Sequence, residues 1–402
     1  MKAGPVIAVG IYLALTVQAA AMEWSFDAYA DLRLVAPAGE RSWLDGGLGK
    51  FRFGAAQPSP DFRFAEAVGQ ATLAVTDDLH AVATLRIEPE QRSGIDALES
   101  YLAWRPGAEG DWNWTAKAGA FFPSISLENT DLGWTSPYTL TPSALNTWVG
   151  EELRTIGGEG TLSRATQWGR ITVTAALFCC NEPAGTLMAY RGWALDDRPT
   201  GLFERVREPD ATLKLFGETP PGRLGPFQDI DGHIGWYGGA DWDVPGWGHA
   251  AVLRYENRAD PRAATSGDEA WSTAFWSASF QTRVLGTAIL AQALSGETSI
   301  GGAAGPLHTT NFQSAFVLAS YDLGDWRLSA RGEAFMTRKP GVSLFNEDGH
   351  AFTGAVSWNA RDWLRLTAEL IALDSRRGEY VLDGSPAART DDQFQLDARF
   401  FL

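Results

Sequence analysis

From Trp24 to the last residue the chain alternates apolar and polar residues with a period of two, and this pattern constrains the fold more than any other feature. In its first instance Trp24, Phe26, Ala28, Ala30, Leu32 and Leu34 alternate with Ser25, Asp27, Tyr29, Asp31 and Arg33. Successive side chains of a β-strand point to opposite faces, so each such segment carries one apolar and one polar face. Trp326, Leu328, Ala330, Gly332, Ala334 and Met336 alternate likewise with Arg327, Ser329, Arg331, Glu333, Phe335 and Thr337. The final segment sets Phe394, Leu396, Ala398, Phe400 and Leu402 against Gln393, Gln395, Asp397, Arg399 and Phe401. Sixteen segments of this kind run from 23–34 to 392–402, among them 230–243, 269–282, 350–359 and 363–374. Those beginning near 95, 155 and 287 are blurred by alanine and glycine, which leaves fourteen and eighteen strands as alternatives.

The connections alternate too. One set is short, about three to seven residues, as at Thr76-Asp77-Asp78, Leu323-Gly324-Asp325 and Ala360-Arg361-Asp362. The other is mostly long and includes Val35 to Asp61, Pro123 to Arg154, Cys180 to Gln228 and Ser375 to Asp391. Bacterial transmembrane barrels order short periplasmic turns and long extracellular loops in this way. Trp104, Trp112, Trp114, Trp168, Trp242, Trp247, Trp326, Trp358 and Trp363 all fall within a few residues of a short turn, where amphipathic rings sit at headgroup level. The alternative is a soluble sandwich with tryptophans at its strand ends.

The N-terminus points the same way. Met1 and Lys2 precede an apolar stretch from Pro5 to Val17 that ends at Ala19-Ala20-Ala21. This reads as a signal peptide over residues 1–21, cleaved after Ala21, followed by a single domain over 22–402. The apolar run is shorter than the roughly 20 residues that a membrane helix needs, and no later run approaches that length. A net charge of −16 argues against nucleic acid as a partner, since phosphate neutralisation requires a basic face. The two cysteines, Cys179 and Cys180, are adjacent, so they bridge no distant segments and make no metal site. They read as plain thiols, with a vicinal disulfide as the alternative in an oxidising compartment.

At membrane depth every backbone group must be paired, and for strands only a closed barrel achieves that. The fold expected is therefore all-β, a transmembrane antiparallel β-barrel with an apolar exterior and a polar lumen. Sixteen strands enclose a lumen too wide for wall side chains to fill, which leaves an aqueous channel. The predicted lumen residues carry both signs of charge. Arg33, Arg331, Arg365 and Arg399 lie on strands that become near neighbours when the last strand meets the first, and with Lys117 they form a basic pore wall. The alternative is that each arginine is paired with a lumen carboxylate. The third long loop, Pro123 to Arg154, holds Trp134, Tyr138 and Trp148, too apolar for a loop in water. It is expected to fold into the lumen as a constriction, bringing Glu128, Asp131, Glu151 and Glu152 opposite the basic wall and setting up a transverse field. The other reading of this loop is a contact with a neighbouring subunit.

The stretch Gly119-Ala120-Phe121-Phe122-Pro123-Ser124-Ile125-Ser126-Leu127-Glu128-Asn129 resembles the strand-to-loop junction of the phosphate-selective O/P type porins, and the layout of the whole chain resembles bacterial outer-membrane porins. The resemblance implies a homotrimer in outer-membrane lipid and passive diffusion of small hydrophilic solutes or ions. It does not carry phosphate selectivity, because the predicted lumen is balanced in sign. The ending Phe400-Phe401-Leu402 departs from the terminal aromatic residue that the resemblance implies.

Three other functions compete. A substrate-specific channel or exporter would use the same barrel, with the fourth loop, Cys180 to Gln228, as lid or ligand platform through Trp193, Arg198, Arg205 and Arg207. A barrel-borne enzyme would need a nucleophile and base within reach. His80, His233, His249, His308 and His350 are scattered, with no Gly-x-Ser-x-Gly or His-Glu-x-x-His beside them. A purely adhesive barrel would need no open lumen. The expectation is no catalytic residue, no metal and no cofactor.

Overall fold

The computed structural model describes residues 23–37, 39–54, 59–265, 267–302 and 305–402. The expected leader, 1–21, lies outside the described residues. Sixteen strands form one closed antiparallel barrel. They are β1 (Glu23–Ala36), β2 (Asp61–Ala74), β3 (Leu79–Ile87), β4 (Asp96–Trp104), β5 (Trp112–Phe121), β6 (Thr155–Thr166), β7 (Gly169–Cys179) and β8 (Gly235–Val244). The second half comprises β9 (Gly248–Glu256), β10 (Ser272–Val284), β11 (Thr287–Ile300), β12 (His308–Leu323), β13 (Trp326–Arg338), β14 (Glu347–Arg361), β15 (Leu364–Arg377) and β16 (Ala388–Phe401). Each strand pairs with its sequence neighbour, and β1 closes on β16 from Tyr29 opposite Phe401 to Ala36 opposite Phe394.

The period-two sequence pattern becomes an alternation of burial. Along β12, Phe312, Ser314, Phe316, Leu318 and Ser320 are buried, while Gln313, Ala315 and Val317 are exposed on the outside. The exterior is a continuous apolar surface, with Leu177, Val317, Phe352 and Leu370 each at least half exposed. Soluble monomers rarely leave so extensive an apolar surface to water. A lipid-facing wall explains it. At the short-turn end tryptophans form a ring: Trp326 stacks on Trp358 with centroids 5.4 Å apart, and Trp242 Nε1 donates to the Trp168 carbonyl at 3.1 Å.

Several strands run past the ends that alternation predicts. β14 begins at Glu347 rather than near 350, and β15 ends at Arg377 rather than near 374. The outward residues there, Asp348, His350, Asp374 and Arg376, are polar, so the apolar signal stops while the backbone ladder continues from His350–Asp374 to Glu347–Arg377. β8 starts later than expected, at Gly235, because Asp231 accepts from His233 N at 2.8 Å and Gly232 adopts φ +74°, a turn that precedes the strand.

The long connections gather at the opposite end from the tryptophan ring. We number them L1 to L8. Those that matter here are L1 (37–60), L3 (122–154), L4 (180–234), L7 (339–346) and L8 (378–387). L3 contains helix α1 (Ala144–Glu152), and L4 contains two short helices, α2 (Thr186–Tyr190) and α3 (Asp210–Leu215). At the start of L4, Cys179 and Cys180 are joined by a vicinal disulfide rather than left as thiols. There Cys180 adopts φ +67°, and the chain turns inward from the end of β7.

Candidate functional site: a lumen occupied by loops

L3 leaves β5 and enters the lumen. Ser126 Oγ accepts from the backbone N–H of Glu128 and Asn129 at 3.1 and 2.8 Å, which bends the chain at the entry. Deeper in, Ser143 caps α1, whose nine residues are all buried. Helix N-termini leave N–H groups unpaired and attract negative charge. Here carboxylates supply both needs. Glu128 accepts from Ser143 N at 3.0 Å and from Ser143 Oγ at 2.7 Å, and Glu333 on β13 accepts from Ala144 N at 2.7 Å. Glu369 on β15 accepts from Leu140 N at 2.7 Å and Thr141 N at 3.1 Å. Arg331 sits among them, paired with Glu128 at 2.7 Å and Glu333 at 2.9 Å. It also donates to the carbonyls of Thr141 and Pro142 at 2.8 and 3.1 Å.

L4 also lies inside. Trp193 N donates to Glu347 at 3.0 Å and Trp193 Nε1 to the Met336 carbonyl at 3.0 Å, on β14 and β13. β14 is seven strands from β7 in a ring of sixteen, so L4 crosses the full width of the barrel. From there it continues round the wall. Asp197 pairs with Arg33 of β1 at 2.5 Å and with Arg52 of L1 at 3.3 Å. Leu202 N donates to the Ala97 carbonyl of β4 at 2.8 Å. Residues 180–201 are buried with only Cys180 partly exposed.

The centre of this arrangement is apolar. Trp148 of α1 packs on Trp193, Phe275 and Phe312 at centroid distances of 6.1, 5.5 and 5.1 Å. Phe178, Tyr237, Tyr255 and Phe335 extend the cluster from the wall. The lumen was expected to be polar throughout. In its long-loop half it is instead a packed core, because the inward positions of β7 to β10, β12 and β13 near that end are aromatic.

The residues expected to line the pore are distributed as follows. Glu128 touches Arg331 directly rather than facing it across water. Glu151 forms a bidentate pair with Arg191 of L4 at 2.9 and 2.6 Å. Glu152 accepts from Trp148 Nε1 at 2.5 Å and from Leu187 N at 2.9 Å. On the basic side, Arg33 pairs with Asp31 and Asp397, each at 3.0 Å, in addition to Asp197. Arg399 pairs with Asp31 at 2.8 Å, and Lys117 with Glu159 at 2.9 Å. Arg365 donates to Asn359 at 3.0 Å. Asp131, Arg365 and Arg399 border one open cavity of about 1130 Å³ at the short-turn end, with Asp27, Tyr29 and Glu99 also in its lining. A second space of about 420 Å³ lies under L3, against Ser124, Asn129 and Asp131. Among the described residues no group of three or more His, Cys, Asp or Glu is placed to hold a metal ion.

The sequence did not reveal the partners of L4. Its Trp193 and its arginines marked it as unusual, and the inward aromatic residues Phe275, Phe312 and Phe335 were the matching half of the signal on the wall.

No family model matches this chain, and no curated protein matches it. Among solved structures, the outer-membrane expressed OmpT of Vibrio cholerae superposes with a TM-score of 0.55 at 12% identity, covering 96% of this chain and 99% of that one. The outer membrane channel DcaP of Acinetobacter baumannii gives 0.55 at 9% identity over 95% and 97%. The anion-selective porin from Comamonas acidovorans gives 0.53 at 11% identity over 95% and 100%. At these identities the likeness is one of fold, a closed barrel of porin type.

Proposed function

We propose that the chain is an outer-membrane porin that passes small hydrophilic solutes by passive diffusion. In this reading residues 1–21 are a cleaved leader, the tryptophan ring marks the periplasmic interface, and the loop end faces outward. Three copies assemble as a homotrimer, and no catalytic, metal or cofactor site is assigned. One observation carries the reading: sixteen strands close into a barrel whose exterior is apolar and whose third loop is anchored inside by Arg331, Glu333 and Glu369. A barrel of this strand number is too wide for wall side chains to fill, so loops set the bore. L3 is the constriction, and of its four carboxylates Asp131 borders the open cavity, whereas Glu128, Glu151 and Glu152 are buried against Arg331, Arg191 and Trp148. Of the expected basic wall, Arg365 and Arg399 face the open vestibule with Asp131, whereas Arg33 and Arg331 hold loops in place.

The narrower resemblance to phosphate-selective porins supplies no selectivity here, since Arg33, Arg331 and Arg399 are each paired with carboxylates. The insertion of L4 favours a second reading, a substrate-specific channel with a more selective lining than a general porin. Planar-bilayer recording tests the proposal. The purified protein is expected to form ion-conducting channels, and deletion of Asn129 to Ser143 to raise their conductance. A protein that never conducts overturns the porin reading, and an unchanged conductance after deletion overturns the constriction.

A further inference from the structure

If the barrel is a channel, as proposed above, L4 lies across its lumen, with residues 181–201 all buried there. The two lumen cavities described above lie towards the short-turn end, and beyond them L1, L3 and L4 meet in a buried junction. Glu151, Glu152, Arg191 and Asp196 are each at most 2% exposed. The Arg191 guanidinium lies over the Trp43 ring of L1 at 4.4 Å and is bound by Glu151. Trp43 Nε1 donates to Asp196 at 3.1 Å, and Thr147 of α1 ties down the same segment by donating to the Asp196 carbonyl at 2.8 Å. The junction thus holds three carboxyl groups against one guanidinium.

The surroundings do not correct the imbalance. Lys50 of L1 and Arg377 of β15 face Glu347 of β14, and Arg377 also pairs with Glu379 of L8. Tyr255 of β9 donates to Asn181 Oδ1 at 2.8 Å and adds no positive charge, and Asp197 beside Asp196 is matched by Arg33 and Arg52. Two negative charges in a dry, closed space are strongly disfavoured unless the groups take up protons.

We propose that L4 is a displaceable plug, latched across the lumen through the Glu151–Glu152–Arg191–Asp196 junction, closed when that junction is protonated and withdrawn when it ionises. Burial pushes the Glu152 carboxyl up to about 7 and Asp196 well above the usual carboxylate range. Once L4 withdraws, both return to water. The closed form therefore binds more protons than the open form from the ordinary carboxyl value upward, and raising the pH through that window favours opening. Glu182 and Glu208, also on L4 and also raised to about 7 by burial, act in the same direction. Lys50, pushed down to about 7 by burial, acts oppositely but only above that pH. Glu152 alone shifts the open-to-closed ratio by about 40-fold between pH 5 and pH 7.

The experiment is single-channel recording of the full chain at pH 5 and pH 7. It uses the wild type, the neutral Glu152→Gln/Asp196→Asn variant, and a chain in which Ala184 to Gly225 is replaced by a short Gly-Ser link. The wild type should open at least ten-fold more often at pH 7. The neutral variant should open less often than the wild type at pH 7, with Glu182 and Glu208 carrying what pH response it keeps, and the shortened chain should be open at both pH values. A wild type without pH dependence, a neutral variant that tracks the wild type, or a shortened chain that keeps the wild-type profile each overturns the plug. If the shortened chain conducts while the wild type shows no pH response, the porin reading stands and the plug alone falls. If no form conducts, the porin reading falls with it.

Discussion

Replacing Arg331 with methionine isolates what holds L3 in the lumen. The side chain is fully buried and makes two ion pairs, to Glu128 at 2.7 Å and Glu333 at 2.9 Å. It also donates to Thr139 Oγ1 at 3.2 Å and Thr353 Oγ1 at 3.1 Å, and to two L3 carbonyls. Methionine fills much of the volume but leaves Glu128 and Glu333 buried without their cation. Removing one partner of such a pair costs about 3–5 kcal/mol. The loss should fall mainly on L3 and not on the barrel, because this side chain makes one strand-to-strand hydrogen bond, to Thr353 on β14, and the backbone ladder between β13 and β14 does not depend on it. A cost of about 3 kcal/mol corresponds to on the order of 100-fold in the local opening equilibrium. Native-state amide exchange reads this directly. Protection of the Leu140, Thr141 and Ala144 amides should fall by about that factor, while the Val317 amide in β12 stays protected. In the Glu128→Gln/Arg331→Met/Glu333→Gln variant the stranded charges are gone, and part of the protection should return. Unchanged L3 exchange in Arg331→Met would refute the anchoring. Failure of the triple variant to recover would show that shape, not charge, sets the cost.

Two substitutions test the wall. Val317→Arg places a cation on the outward face of β12, where Val317 is 56% exposed, and should cost about 2–4 kcal/mol in bilayer unfolding if that face meets lipid near the midplane; an unaltered unfolding midpoint would contradict the orientation. At Gly157 an added Cβ would lie 2.1 Å from the Leu177 carbonyl oxygen of the paired strand, whereas at Gly160 nothing comes within 4 Å. Gly157→Ala should therefore impair barrel assembly, scored by resistance of the unheated barrel to detergent denaturation, and Gly160→Ala should not. Equal behaviour would mean that β6 and β7 do not approach in this register.

What the sequence discloses is what repeats. Inward and outward positions alternate in every strand, and the lipid selects one of the two faces, so Trp24 to Leu34 or Phe394 to Leu402 can be assigned from residue types alone. The signal fades where that selection stops. Asp348, His350, Asp374 and Arg376 stand outside the apolar belt, so the upper ends of β14 and β15 are carried by backbone pairing that no side-chain pattern marks. L3 was legible as an inserted loop because Trp134 and Trp148 are costly in water. Its attachments were legible only in part. Arg331, Glu333 and Glu369 show in sequence as charged lumen positions, but which charges meet depends on barrel closure and on the path of a loop without periodicity. L4 was less legible still, because Arg33 finds Asp197 only after the chain has crossed from β7 to β14 and back towards β1.

The inward aromatic residues decide which forces place the loops. Without L3 and L4, Phe178, Tyr255, Phe275, Phe312 and Phe335 would face water inside the barrel. Covering a large apolar side chain is worth about 1.5–3 kcal/mol, so this cluster alone gives the loops a strong reason to enter. The buried ion pairs work differently. Each requires desolvation of both partners and adds little net stability against an apolar packing of equal volume. What they contribute is register: Arg331 admits one arrangement of Thr139, Thr141 and Pro142, and Arg33 and Arg52 admit one placement of Asp197. Apolar packing thus draws the loops in, and charge fixes where they stop. The division also limits how such a lumen can open. For L4 to withdraw as a plug, ionising the junction must also part Trp193 of L4 from Phe312 and Phe335, whereas Trp148 keeps L3 packed on Phe275 and Phe312.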